Sequence, residues 1–442
     1  MDRVHDTTRR VIVAVNAETR GCGRGGTPCR ASRWAVVLGL VATLCAGAVA
    51  DAKPLRVGAS GDYAPFSLRK EGKYEGLDAV IANRLAKDLG YSGVEFVKFA
   101  WPELEEKVRS GAFDVALSGI TSIPERTLVG RYTRPYAATG AMLLIRTEDQ
   151  ERFASVPDVD RKGVRIAVNK GGYLERLAWR KFLQASIQPV SDNEKVPRQV
   201  LLGSVDAALT DSAEVLGWLR WEFRTIGPFT RDYKAMLLPP DRDKLADRID
   251  AWLVAREEDG WLQEQRKRFL GEAGTLGADV ALGAACELIR LRMNLMPMVG
   301  AAKRAQGLPV QDAAQEQRVM DRIRAWSKRN PERTIAVFEQ VIGVARAIQL
   351  VEVPAAEVPL EQLRAAIERI DRQLVREIER SPPSRIKDWK QGLERLMELQ
   401  AIREEHIMRL AVALALPENL SVTPPAVPNP TPQQGGARND TP

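Results

Sequence analysis

Hydrophobic and polar positions change rhythm along the 442-residue chain. From Lys53 to about Glu272, short β-branched runs such as Leu55-Arg-Val-Gly, Val94-Glu-Phe-Val and Asp114-Val-Ala-Leu alternate with amphipathic stretches, the order of an α/β domain. Near Ala273 the Gly-rich spacing gives way to long stretches of Leu, Ala, Arg, Glu and Gln with helical periodicity and hardly any strand signal. Helices are predicted at about 282–305, 310–329, 332–351, 358–381 and 386–416, with Pro309, Pro331, Pro354 and Pro382-Pro383 marking the breaks. The chain is therefore multidomain: an α/β domain over 53–272, a linker over 273–281 and an all-α domain over 282–416. Residues 417–442 are Pro-rich with too little apolar content to fold, and read as a disordered tail.

The first 52 residues follow a different pattern. A basic stretch precedes the apolar run Trp34–Ala50, which is about the length of a signal-peptide core and short for a membrane span. Small residues follow at Ala48, Ala50 and Ala52, so residues 1–52 are expected to be a cleavable signal peptide with a long n-region, delivering the mature chain to the periplasm with no remaining membrane contact. Cys45 is preceded by Leu44, where a lipoprotein signal needs a small residue, so no lipid anchor is expected. Charge supports the same division. Residues 1–50 hold seven Arg against three acids and account for +4 of the net +7, which leaves nucleic-acid binding little support. Cys22, Cys29 and Cys45 also fall in this segment, so a single cysteine, Cys286, and a single histidine, His406, remain after processing. Internal disulfides, metal sites, cofactors and Ser-His-Asp catalysis are not expected.

Several motifs in the α/β domain carry chemistry. They are Gly61-Asp-Tyr-Ala-Pro-Phe-Ser67, Gly76-Leu-Asp78, Trp101-Pro-Glu-Leu, Asp114-Val-Ala-Leu-Ser-Gly-Ile-Thr121 with Glu125-Arg126, Val168-Asn-Lys-Gly-Gly172, and Asp206-Ala-Ala-Leu-Thr-Asp211-Ser-Ala-Glu214. A Ser-Gly-Ile-Thr turn ending a strand offers backbone N–H groups and hydroxyls, and Arg126 a bidentate guanidinium, so Ser118, Thr121 and Arg126 suit a substrate carboxylate. Tyr63, Phe66 and Trp101 could wall a ring-shaped ligand or pack in the core. Over 53–272 the chain resembles the type II periplasmic solute-binding proteins, which implies a two-lobed fold. Within them it resembles the cyclohexadienyl (prephenate/arogenate) dehydratases. Amino-acid-binding members hold the ligand amino group with an aspartate such as Asp211, whereas the dehydratase resemblance puts a general acid at Glu214. Both residues are present, with Asn169 as a further contact. Glu214 lies in Glu-Val-Leu-Gly-Trp-Leu, apolar company able to raise a carboxyl pKa toward neutrality. This chain departs from those dehydratases at Tyr173-Leu174-Glu175 and at Ala141.

In the all-α domain, Arg292 and Lys303 lie 11 residues apart, three helical turns, and so share one helix face; Asp312 and Glu316 share another. Together with Phe338 and Gln349 these positions resemble the all-helical chorismate mutases, particularly the secreted class in which one chain supplies a complete site. The resemblance implies that Arg292 takes a carboxylate, that Lys303 and Gln349 reach the ether oxygen, that Glu316 accepts from the ring hydroxyl and that Arg364 adds a guanidinium, with Asp312 a further substrate contact. Gln315 and Ala345 depart from the pattern. The combined expectation is a bifunctional enzyme converting chorismate to prephenate and prephenate to phenylpyruvate, with arogenate an amino analogue of the second substrate. A solute-binding protein of a transporter or sensor fused to an inert helical domain is the alternative. A non-catalytic pair serving protein interaction is the third reading, and a homo-oligomer is compatible with relatives of either domain.

Overall fold

A computed structural model describes residues 53–271, 280–353, 358–381, 385–399 and 401–416. The expected signal peptide, nearly all of the linker, Pro354, Pro382-Pro383 and the tail lie outside these residues.

Two five-stranded sheets build the α/β domain. The first runs Val94–Lys98, Leu55–Ala59, Val115–Ala116, Asp232–Leu238, Arg131–Thr139, with Asp232–Leu238 antiparallel to both neighbours and the first three strands parallel. The second runs Ser186–Val190, Arg165–Asn169, Ala207–Asp211, Ala141–Arg146, Phe223–Ile226, with Ala141–Arg146 antiparallel to both neighbours. The chain passes between the sheets twice, from Thr139 to Ala141 and from Ile226 to Asp232, so two lobes share a two-crossing hinge. Parallel strands covered by helices on both faces need apolar side chains on both faces, which is why Leu55, Val57, Val115, Ile166 and Val168 are all fully buried.

The helical region consists of Val280–Ala305, Ala313–Trp326, Pro331–Gln349, Leu360–Arg380, Ile386–Leu393 and Glu404–Ala415. Leu360–Arg380 shows why these segments fold as they do: Leu363, Ala366, Ile370, Leu374 and Ile378 recur at helical spacing and are all buried. The single helix expected over 386–416 is instead two. Ile386–Leu393 passes into a 3-10 turn, Glu394–Glu398, and Ala401 takes a left-handed φ of 73° before the chain resumes as Glu404–Ala415. The break folds the second piece back on the first, where Lys390 donates to Glu404 at 2.6 Å. Trp389 and Leu393 then share one core with Ile407, Leu410 and Leu414, an arrangement one straight helix could not reach.

Both domains share that core. Leu237 of the first sheet, with Phe99 and Phe113 from its loops and Val108 from the helix Leu104–Arg109, packs into the same apolar cluster as Leu288, Leu291, Ile370 and Leu374 of the helical region. Polar contacts flank the contact: Arg134 pairs with Glu377 at 3.1 Å, both buried, and Ser122 donates to Glu287 at 2.7 Å. Burial of this kind ties the two domains into one body.

Candidate functional site

The cleft between the lobes is lined by Tyr63, Trp101, Gly119, Thr121 and Arg126 of the first lobe and by Asn169, Gly172, Tyr173, Leu174, Asn193 and Glu214 of the second, with Lys234 at the hinge. Gly119 turns at φ 59°, and a Cβ there would stand 2.5 Å from the Tyr63 ring, so only glycine lets the loop and ring share this wall. Asp78 fixes the same loop from behind, accepting from the Gly119 amide at 2.5 Å, and burial raises its pKa to about 7. Trp101 stands edge-on to Tyr63 with ring centroids 6.0 Å apart, and its indole donates to Asp62 at 3.1 Å.

Arg126 is buried; it donates to the Thr121 carbonyl at 3.1 Å, while its Nε has no hydrogen-bond partner and lies 3.7 Å from Glu105. The Asn169 side-chain oxygen is likewise buried and unbonded. Orphaned polar atoms cost free energy unless something polar reaches them, so the Asn169 oxygen, with no partner in the protein, marks the cleft as a place for a polar ligand.

Glu214 is 4% exposed on the short helix Ser212–Trp218. Thr210 donates to one of its oxygens at 2.9 Å, and Asn193 to the other. Loss of solvent first, and the Asp211 charge second, push its pKa up to about 8, against the two donors and Lys234. It is therefore a carboxylic acid near neutral pH, able to give a proton.

Three expected ligand contacts do not reach the cavity. Phe66 is fully buried beneath Tyr63, with centroids 5.2 Å apart. Ser118 is fully buried and its hydroxyl meets the Ser60 amide at 3.0 Å and the Ser60 hydroxyl at 2.8 Å, bracing two strand ends. Asp211 caps the helix Ser212–Trp218 by accepting from the Ala213 amide at 2.8 Å; its other oxygen accepts from Thr139 at 2.6 Å and from the Lys234 ammonium at 2.9 Å. Lys234 escaped the sequence reading. It sits within Asp232-Tyr-Lys-Ala-Met-Leu-Leu, a wholly buried strand, and a lysine in such a run was the signal that could have found it, because lysine is buried only when paired. The departures Tyr173 and Leu174 both line the cleft, and the Tyr173 hydroxyl donates to Asp232 at 2.9 Å.

A second cavity, of about 380 Å³, opens among four helices of the other domain. Arg292 and Lys303 reach it from Val280–Ala305, Glu316 from Ala313–Trp326, Gln349 from Pro331–Gln349 and Arg364 from Leu360–Arg380, with Asp312 at the mouth. Phe338 is instead core. Gly300 permits this convergence, since a Cβ there would collide with the Gln349 backbone carbonyl. Lys303 donates to the Val310 carbonyl at 2.7 Å, and desolvation, with the Arg364 charge, lowers its pKa against the pull of Asp312 and Glu316. Asp312 caps its helix by accepting from the Gln315 amide at 2.9 Å. The Gln349 side-chain oxygen is buried and unbonded.

The structure adds partners that the sequence did not reveal. Arg292 is bound to buried Asp371 at 2.7 Å, so its guanidinium meets a ligand with part of its charge already answered. Glu316 accepts a two-point contact from Arg346, whose Nε lies 2.8 Å away. Arg322 also lines the cavity, and Gln315, where the pattern calls for arginine, is held by Arg318 at 2.7 Å.

Residues 55–272 match the family described as bacterial extracellular solute-binding proteins, family 3, and residues 284–350 match chorismate mutase type II. A cyclohexadienyl dehydratase of Pseudomonas aeruginosa is 34% identical over 223 residues, 49% of this chain and 82% of that protein. The L-cystine-binding protein TcyJ of Escherichia coli is 23% identical over 222 residues, with the same two shares. Among solved structures, an ancestral amino-acid-binding protein, a precursor of cyclohexadienyl dehydratase, is 27% identical with a TM-score of 0.47, covering 52% of this chain and 99% of that one. By the identity and coverage of the Pseudomonas relative, the chain belongs to the family 3 bacterial extracellular solute-binding proteins, and carries beside that domain a helical region that matches chorismate mutase type II.

Proposed function

We propose that the protein is a bifunctional enzyme of phenylalanine biosynthesis, rearranging chorismate to prephenate in the helical domain and converting prephenate to phenylpyruvate in the cleft. The observation that carries the reading is Glu214, a buried carboxyl held protonated near neutral pH where a ligand would meet Arg126 and Thr121. Dehydration needs this group. The ring C–O bond breaks as Glu214 protonates the departing hydroxyl to water, and the C–C bond to the ring carboxylate breaks to release carbon dioxide, whose bonding electrons complete the aromatic ring. Arg126 and Thr121 would hold a substrate carboxylate meanwhile.

The mutase step asks for different chemistry. A pericyclic rearrangement needs no nucleophile or proton transfer, only a shape that favours the compact transition state and cations for the carboxylates and the ether oxygen that gains negative charge. Arg292 and Arg364 suit the carboxylates, Lys303 and Gln349 the ether oxygen, and Glu316 the ring hydroxyl, with Asp312 positioning the helix that carries Glu316. The cavity in the helical domain is large enough for a small dicarboxylate, whereas the cleft, at about 40 Å³, is too small for its substrate, so the lobes would part to admit it.

A periplasmic location after signal removal fits the apolar run at 34–50 and the extracellular family of residues 55–272. Among the described residues no helix is long and apolar enough to cross a membrane. Adding chorismate to the purified protein tests the whole reading. Prephenate should appear and then phenylpyruvate; ligand binding without either product would support a solute receptor instead.

A further inference from the structure

We propose that the helical domain positions the carboxylate-holding loop of the cleft, with Glu287 and Arg290 as its positioning residues. The loop runs from Thr121 through the 3-10 turn Glu125–Leu128 and presents Thr121 and Arg126 to the cavity. Its other side meets the helical domain. Glu287 accepts from the Ser122 hydroxyl at 2.7 Å, and Arg290 donates to the Ser122 carbonyl at 3.0 Å while it clasps Glu287 at 2.6 and 2.8 Å. At the far end Arg369 donates to the Thr127 carbonyl at 2.9 Å and Gln362 to the Leu128 carbonyl at 3.2 Å. Both ends of the segment that carries Arg126 are thus fastened to the other domain.

Loops ordinarily lie at the surface, where water meets their carbonyls. Here side chains of two helices take that place. Glu287 is buried; desolvation pushes its pKa up, but the charges of Arg290 and Arg395 and the Ser122 hydroxyl hold it below the usual carboxylate range, so it is ionised at neutral pH. Charge-assisted, two-point contacts of this kind fix geometry as well as lower energy. Ser122 adjoins Thr121, whose carbonyl accepts from Arg126 at 3.1 Å, so a shift of Ser122 would move both anion-holding groups. The same two helices wall the other cavity. Arg290 and Arg292 lie two residues apart, about 200° around one helix, as do Arg369 and Asp371 around the other. Arg292 and Asp371 accordingly line the helical cavity, while Arg290 and Arg369 reach the loop. Glu287, Arg290 and Arg369 do not line that cavity, so the mutase site does not account for their pairing.

The inference rests on the reading of the cleft as the prephenate site. Kinetics with prephenate and with chorismate, and hydrogen exchange over residues 119–130, are measured on the full chain. Glu287→Gln/Arg290→Met removes both charges together, so that neither is stranded in the contact. The double variant should raise KM for prephenate on the order of tenfold while kcat stays within about threefold, because the carboxylate grip loosens and Glu214 on the opposite lobe is untouched. Mutase kcat and KM should stay within about twofold, and the loop amides should exchange about tenfold faster with the second lobe unchanged. A merely structural role would lower kcat for both reactions through loss of folded protein and leave KM for prephenate where it was, which overturns the proposal. If the double variant does not fold, Ser122→Ala and Arg369→Met, which each remove one bond to the loop, should each raise that KM about threefold; wild-type values in both overturn it. Exchange needs no ligand. Should the wild type form no phenylpyruvate, the dehydratase reading fails, and exchange still decides: a faster loop in the variant supports the positioning role, and equal exchange overturns it.

Discussion

Replacing Glu214 by Gln keeps the size and one acceptor oxygen for Asn193, and puts an amide N–H where the Thr210 hydroxyl can accept, but removes the transferable proton. With its pKa at about 8, roughly nine in ten Glu214 carboxyls carry a proton at pH 7, whereas at the ordinary value about one in 300 would. General acids contribute roughly 10²–10⁴-fold to such steps, so Glu214→Gln should lower kcat for phenylpyruvate formation by a factor in that range. Chorismate consumption should stay within twofold, so prephenate should accumulate when the variant is given chorismate. The pH dependence follows from the same group. Wild-type dehydration should fall above pH 8 as Glu214 loses its proton. The stability sign is opposite to that of an ordinary ion-paired carboxylate. Folded Glu214 keeps a proton that the unfolded chain releases, so stability is full below about pH 4.5 and declines toward pH 8, by about 1.4 kcal/mol per pH unit at the steepest. Glu214→Gln cannot titrate and should escape that decline. Quenched assays separating prephenate from phenylpyruvate, with denaturant melts at pH 5 and 8, check both parts. Dehydration within threefold of wild type in the variant, or a wild-type rate flat to pH 9, would refute the general-acid assignment.

Lys303→Ala should cost the mutase roughly 10²–10³-fold in kcat, the loss typical of removing a transition-state donor, and leave dehydration of added prephenate unchanged; progress curves for chorismate loss decide it. Gln315→Arg should raise mutase kcat/KM several-fold by supplying a guanidinium at the cavity wall, and an unchanged or lower value would show that Arg322 or Arg346 already meets that need. Glu377→Ala strands Arg134 between the domains, where the pair is 0% and 6% exposed, and should destabilise the chain by about 3–5 kcal/mol; an unfolding midpoint in denaturant equal to wild type would count against that pairing.

Much of this organisation follows from the sequence because it is local. The switch from period-2 to period-3.6 patterning places the α/β and helical regions, and an 11-residue spacing alone puts Arg292 and Lys303 on one helix face. Glu214 in apolar company foretold a carboxyl lifted toward neutrality, because desolvation comes first among the causes of its shift. Tertiary structure decided what depends on distant partners. The break at Ala401 arises because the last helix must double back into a shared core, and periodicity along one segment does not encode that return. Phe66 and Ser118 belong to motifs at the cleft yet lie behind its wall, a difference set by the neighbours Tyr63 and Ser60. Asp211 looked able to hold a ligand until the hinge strand Asp232–Leu238 brought Lys234 against it from 23 residues away. A buried charge takes its role from whichever opposite charge the fold sets beside it, and that pairing exists only once the chain has folded.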